Sequence, residues 1–173
     1  MKKALIVVDM QEDFVRGALG FDGAETVIPV IVDKIKAARA DATDVLFTLD
    51  THGADYLETV EGKHLPVPHV IEGTPGHALV PELRALQDPK DPVFKKPTFP
   101  SLDLGNYLKT QGYDTVELCG LVSSMCVFSN AVIAKAALPN AKIVVDAKAT
   151  TTFDPSFQTK TLEMLEHLHI EVI

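Results

Sequence analysis

The sequence predicts an α/β fold: a three-layer αβα, doubly wound domain whose sheet is mostly parallel and has about six strands. Three observations predict it. Short runs rich in Val, Ile and Leu recur along the chain, and most are continuous rather than alternating, as in strands covered by helices on both faces. Stretches with apolar residues at helical spacing separate these runs. Strand and helix then alternate along the chain, the order of a doubly wound sheet. A chain of 173 residues has room for one such domain, 1–173, with a sizeable core.

The first strand is expected at residues 4–9 (ALIVVD). Residues 25–40 (ETVIPVIVDKIKAARA) follow with helical periodicity, and Pro29 sits near the start, where a missing N–H is tolerated. A second strand is expected at 44–50 (DVLFTLD), and a weaker one at 91–96 (DPVFKK), with Pro92 at its entrance. Residues 102–112 read as a helix ending at Gly112. The strand at 114–120 (DTVELCG) leads into 123–140, a helix apolar around most of its circumference and therefore expected to be buried. A strand at 141–147 (AKIVVDA), a helix at 154–168 opened by Asp154-Pro155, and a last strand at 170–173 complete the pattern.

Residues 51–92 break this rhythm. They hold six of the eleven prolines, four of the six histidines and four glycines, with only a short helical patch at 77–86. A connection of that length inside a compact domain is usually functional. The charge balance excludes some functions. A formal net charge of -8, with no basic cluster beyond Lys95-Lys96, argues against nucleic acid as a partner. No apolar run reaches membrane-spanning length, and the run after Lys2-Lys3 is too short for a signal peptide. The expectation is a cytoplasmic protein with reduced thiols, since two cysteines seven apart match neither a zinc spacing nor a Cys-x-x-Cys pair.

Ligands of a doubly wound sheet bind beyond the carboxyl ends of its strands. There the chain delivers Asp9, then Asp50 with His52, then Lys96, and finally Cys126 at a helix start. Cys119 lies within an apolar strand and reads as a buried core residue. Cys126 lies in a first helical turn, where amide groups favour a thiolate and can hold an oxyanion; a buried structural cysteine is the alternative. Asp9 would serve as the base for such a nucleophile or, alternatively, cap a loop. Lys96 would hold negative charge near both, and Lys95 points to the opposite face. Asp50, His52 and His69, with Glu61, suit one divalent metal ion, and carboxylate with imidazole fits zinc, manganese or iron alike; ordinary loop residues are the alternative. His64 and His77 read as surface residues, and His167 and His169 as structural.

Taken together, these residues resemble the isochorismatase-like cysteine hydrolases, and within them the nicotinamidases. The resemblance rests on LIVVDMQEDF (Asp9, Gln11, Asp13, Phe14), on KPTFPSL (Lys96, Phe99), on PHVIEGTPG, and on CGLVSSMCV, where Ser123 replaces the usual threonine. It implies a catalytic triad of Asp9, Lys96 and Cys126, and an amide substrate, most simply nicotinamide. It also implies a cis peptide at Leu121–Val122, with the amides of Val122 and Cys126 forming the oxyanion hole. Phe14, Phe99 and Leu121 would contact the substrate. Asp50, His52, Glu61 and His69 would hold the metal, with Glu58 competing for the place of Glu61. A pocket tryptophan common in the family is absent, leaving Val67 or Leu65 for that wall. A homo-oligomer is a further expectation from the resemblance. The competing readings are a hydrolase of another small amide or carbamoyl compound, and a non-catalytic thiol or redox-sensing protein.

Overall fold

A computed structural model describes residues Met1–Ile173. Six strands form one sheet: β1 (Lys3–Val8), β2 (Asp44–Asp50), β3 (Val93–Lys96), β4 (Thr115–Leu121), β5 (Lys142–Thr151) and β6 (Glu171–Val172). Their order is β3-β2-β1-β4-β5-β6, and every adjacent pair is parallel. The helices are α1 (Glu12–Val15), α2 (Ile28–Ala40), α3 (Val60–His64), α4 (Pro81–Arg84), α5 (Leu102–Gln111), α6 (Phe128–Ala137) and α7 (Pro155–His167). No helix is long and apolar enough to cross a membrane.

The pleat of β1 explains the three layers. Leu5 and Val7 pack with Ile31, Ile35 and Leu83 on the face covered by α2 and α4. Ala4, Ile6 and Val8 pack with Leu104, Leu108, Ala131 and Leu165 on the face covered by α5, α6 and α7. Since both faces are buried, the apolar residues of β1 run without alternation, which is what made the strand visible in the sequence. The helix ends follow their side chains. Ser101 caps α5 by accepting from the Leu104 amide, and Gly112 ends it in the left-handed region at φ 64°. Asp154 caps α7 ahead of Pro155.

Several boundaries differ from expectation, each for a local reason. The pattern at 25–40 begins as a 3-10 turn, Ala24–Val27, before α2. The pattern at 123–140 opens with a wide π turn, Ser123–Val127, before α6. β5 continues to Thr151 because, after an irregularity in pairing, Thr150 and Thr151 pair with Gly120 and Leu121. β6 is reduced to two residues at the sheet edge. The patch at 77–86 resolves into a 3-10 turn, Pro75–His77, and the short α4.

The chain reverses its strand order between β1 and β4, the switch point where a doubly wound sheet opens a crevice. Asp9 leaves β1 there with φ 47°, a left-handed conformation that aspartate tolerates. Gly120 of β4 faces it at φ 117°, and a Cβ on Gly120 would lie 2.0 Å from the Val8 carbonyl oxygen. Only glycine lets the two strand ends approach so closely. Gly120→Ala is therefore expected to destabilise the protein by about 3 kcal/mol or more. Thermal unfolding of the variant measures this, and an unchanged midpoint would contradict it.

Candidate active site

Four strand ends and one helix start meet at the switch point. β1 delivers Asp9, β2 delivers Asp50, β3 delivers Lys96, and the turn after β4 delivers Cys126. Lys96 is at the centre. Its Nζ lies 2.6 Å from Asp9 Oδ2, 3.4 Å from Asp50 Oδ1 and 3.6 Å from Cys126 Sγ, and it donates to the Thr98 carbonyl at 3.0 Å. Lysine is among the residue types least often buried, yet Lys96 is 1% exposed. Only its carboxylate partners make that tenable.

Burial sets the protonation states. It pulls the Lys96 ammonium down, but the charges of Asp9, Cys126 and Asp50 outweigh it and hold the group well above the usual lysine value. Burial pushes the Asp9 carboxyl up against the opposing pull of Lys96. Burial also raises the Cys126 thiol well above its ordinary value, with the Asp9 charge adding to the effect and Lys96 opposing it. Burial therefore favours the thiol form of Cys126, beside the 2.6 Å pair of Lys96 and Asp9. Cys119 is different. It lies in the core on the α2 side, with its thiol directed at the Ile6 carbonyl and pushed up by burial.

The Leu121–Val122 peptide is cis, as the family resemblance implied. The Val122 amide donates to no protein acceptor, while the Val122 carbonyl accepts from Met125 and Val127 in the π turn. Around this turn, Asn130 is fully buried and ties two segments together. Its amide nitrogen donates to the Cys126 carbonyl at 2.8 Å and the Phe99 carbonyl at 3.0 Å, and its oxygen accepts from the Ser101 amide at 3.0 Å. Ser123, standing in the threonine position, is buried and hydrogen-bonded to Gln158 of α7.

Beside this group, Asp50, His52, Glu61 and His69 place one ligand atom each within 4.8 Å of one another. His52 Nε2 is 3.5 Å from both Asp50 Oδ2 and Glu61 Oε1, and His69 Nε2 is 4.0 Å and 3.7 Å from the same atoms. His52 Nε2 is buried and has no hydrogen-bond partner. His69 donates Nδ1–H to the Val67 carbonyl at 2.7 Å, which frees Nε2 for the cluster. Glu61 is raised by burial and by the Asp50 charge, a crowding that a cation would relieve. Two imidazoles and two carboxylates gathered this closely are a donor set that suits one divalent cation. Glu58 lies in the 3-10 turn Tyr56–Glu58 and is exposed, so Glu61 rather than Glu58 joins the cluster.

The other expected residues fall as follows. Phe14 is half-buried and edge-on to His69, with ring centroids 5.7 Å apart. Phe99 is 40% exposed, and Leu121 is buried in the core on the α2 side. Lys95 faces outward and pairs with Glu72. His64 is exposed, and so are His167 and His169 at the end of α7. His77 is not a plain surface residue: it is half-buried, and its Nε2 lies 2.8 Å from the Thr51 hydroxyl.

Four further contributors had no role assigned from the sequence, although Gln11 and Asp13 stand in the stretch that carries the resemblance. The Thr48 hydroxyl donates to Asp9 Oδ1 at 2.6 Å. Gln11 clamps Asp50 from both sides, accepting from its amide at 2.8 Å and donating to its carbonyl at 2.9 Å. Asp13 accepts from the Val70 amide at 2.7 Å and so holds the segment carrying His69. Tyr56, buried, stacks its ring within 4.7 Å of His52 and 5.0 Å of His69. For Thr48 a signal existed, a polar residue inside the apolar run of β2.

The chain belongs to the isochorismatase domain family, whose model matches residues 3–173. Within the family it is nicotinamidase-like, a hydrolase acting on amide bonds. It is 27% identical to the nicotinamidase/pyrazinamidase of Mycobacterium tuberculosis over 187 residues, covering 99% of this chain and 98% of that protein. The crystal structure of the nicotinamidase/pyrazinamidase of Bacillus subtilis superposes with a TM-score of 0.89 at 28% identity, covering 99% of each chain. The pyrazinamidase of Pyrococcus horikoshii, solved in complex with zinc, gives a TM-score of 0.86 at 25% identity, covering 100% of this chain and 99% of that one.

Proposed function

We propose that this amide hydrolase is a nicotinamidase, converting nicotinamide and water to nicotinate and ammonia through a thioester on Cys126. One observation carries the reading. A single buried ammonium, Lys96, touches a thiol, a carboxylate and a member of the Asp/His/Glu cluster at once. That constellation suits acyl transfer by a nucleophile, its base and an electrostatic support.

Asp9 takes the proton from Cys126, and the thiolate attacks the amide carbon. Burial that raises Asp9 makes it a better base towards a thiol that burial has also raised. The oxyanion is met by the amides of Val122 and Cys126, each worth about 10²–10³ in rate for a donor of this kind. Asp9 returns its proton to the nitrogen, ammonia leaves, and a thioester remains. Asp9 then accepts a proton from the water that opens the thioester and passes it to the departing Cys126 sulfur, which restores the thiol and the carboxylate as nicotinate leaves. Lys96 keeps Asp9 in place and offsets the charge that passes between Asp9 and Cys126. Phe14 packs against the ring of the substrate. Asp50, His52, Glu61 and His69 would hold one divalent cation, zinc in the first instance, which would supply Lewis-acid character for a ring nitrogen of the substrate.

The direct test is ammonia release from nicotinamide, pyrazinamide and a carbamoyl compound, with metal analysis on the same sample. Turnover of the first two, with about one equivalent of metal, is expected. Turnover of the carbamoyl compound alone would assign the alternative substrate class, and a protein that releases no ammonia from any of them would overturn the amidase mechanism. Thr48 provides a finer check. Thr48→Val removes the hydroxyl that fixes Asp9 Oδ1 at nearly constant volume. It is expected to lower kcat roughly 10- to 100-fold, one to two lost hydrogen bonds' worth, with little change in KM. Thr48→Ser is expected to restore most of the rate. An equal loss in both variants would mean that packing, not the hydroxyl, matters.

A further inference from the structure

A cavity of about 720 Å³ opens beside the cluster, between α3 and residues 97–99. His52 and Glu61 form its inner end, so it reaches the cation site. Thr98 forms one wall, and the carbonyl of that residue is bonded to Lys96 Nζ, which in turn touches Cys126. The opposite wall presents Val60 and His64, one turn apart on the same face of α3. Val60 is 75% exposed and Phe99 40% exposed, two apolar side chains left facing the opening.

The size is informative. Cavities of about 300–1,000 Å³ suit ligands of drug size. An unsubstituted six-membered ring seated between Cys126 and the cluster leaves this space open, since none of Asp9, Phe14, Lys96 and Cys126 lines it. The cavity is thus on the cation-ligand side of the site, with His52 and Glu61 in its lining and the thiol absent from it. A group occupying it beside the cation ligands would be carried by the ring, and so by the acyl portion of the substrate.

We propose, resting on the amidase reading above, that the substrates this site takes best are heteroaromatic carboxamides bearing a ring substituent, and that the substituent lies in the cavity between α3 and residues 97–99. Val60 and Phe99 contact it, and His64 closes the outer edge. Each methylene buried there is worth roughly three- to fourfold in affinity. The ring and amide stay where an unsubstituted carboxamide would bind.

The experiment compares kcat/KM for nicotinamide with that for nicotinamides carrying a methyl, ethyl or propyl group at each free ring carbon, on metal-loaded protein. At least one alkyl series is expected to equal or exceed nicotinamide and to rise with chain length. Val60→Trp and His64→Trp, two exposed positions that fill the cavity from one wall, are each expected to cut kcat/KM for that series by tenfold or more. The same variants should change nicotinamide turnover by less than about threefold, as for surface substitutions clear of the reacting groups. Calorimetric binding of the alkyl amides to the Cys126→Ala protein, with and without the tryptophan, should show the same loss. If nicotinamide is cleaved but every alkyl derivative is slower by 100-fold or more, the cavity holds no part of the substrate. An equal fall for nicotinamide and its derivatives in both variants identifies the cavity as a common entrance and also overturns the assignment. A metal-loaded protein that cleaves neither nicotinamide nor any derivative removes the amidase reading itself, and this assignment with it.

Discussion

Cys126→Ala is expected to reduce ammonia release by at least about 10⁴-fold while leaving the fold and metal content intact. The magnitude follows from the loss of covalent catalysis: removing a nucleophile whose partners act as a unit costs up to about 10⁶ in kcat, because no neighbour substitutes for it. The intact fold follows from the packing. Cys126 adjoins Val127 and Ala131 on the face covered by α6, and its removal takes away one small sulfur atom. Its carbonyl, held by Asn130, is unaffected. None of the four cluster residues touches the thiol directly. Single-turnover assays, metal analysis and circular dichroism on one preparation check all three parts. Residual turnover within tenfold of the natural protein would rule out a thioester. Cys119→Ala is the control, and should leave activity unchanged, because that thiol faces the Ile6 carbonyl in the opposite layer.

Strands buried on both faces announced themselves, since β1 is an unbroken apolar run and β2 and β4 are interrupted only by Thr48 and Glu117. β3 was weaker because it is an edge strand, with only Lys96 of its four residues buried. The second half of β5 was hidden by its composition, Ala-Lys-Ala-Thr-Thr, whose pairing with Gly120 and Leu121 depends on a shift in register. The π turn at Ser123–Val127 left no trace in an apolar pattern read at helical spacing. Asp9, Asp50, Lys96 and Cys126 could be gathered from topology alone, because each ends a strand or starts a helix on one edge. His69 and Glu61 come from the aperiodic segment 51–92, so only their residue types suggested a metal, and the resemblance was needed to match them to the ligand set. The residues that orient the site, Thr48, Gln11, Asp13 and Asn130, act through hydrogen bonds across 30 to 60 positions, and no local pattern encodes such bonds.

Lys96→Met is expected to abolish turnover and also to lower the thermal midpoint of the metal-stripped protein by about 10 °C. Methionine keeps the length and apolar stem of the side chain, so the loss is chiefly that of the charge. Asp9 is fully buried and Asp50 nearly so, and Lys96 is the cation they share. Removing one partner from a buried ion group costs about 3–5 kcal/mol, which at roughly 2–4 °C per kcal/mol for a chain of this size gives the stated shift. The sign of its pH dependence follows from Asp9. Without the ammonium, the carboxyl, already raised by burial, moves further above its value in the unfolded chain. The folded state then binds more protons than the unfolded state, so the variant gains stability as pH falls towards the ordinary carboxylate range. The gap between the two midpoints should therefore narrow from pH 8 to pH 5.5, as measured by calorimetry in the presence of a chelator. A gap that widens on acidification would show that Lys96 does not hold these carboxylates ionised. The same protein tests the catalytic role separately: if Lys96 only stabilised the fold, Lys96→Met assayed well below its midpoint with metal restored would keep most of its activity. The distances from one Nζ to Asp9, Cys126 and Asp50 imply instead that stability and turnover fail together, because a single buried charge holds the base beside the thiol and joins both to the cation site.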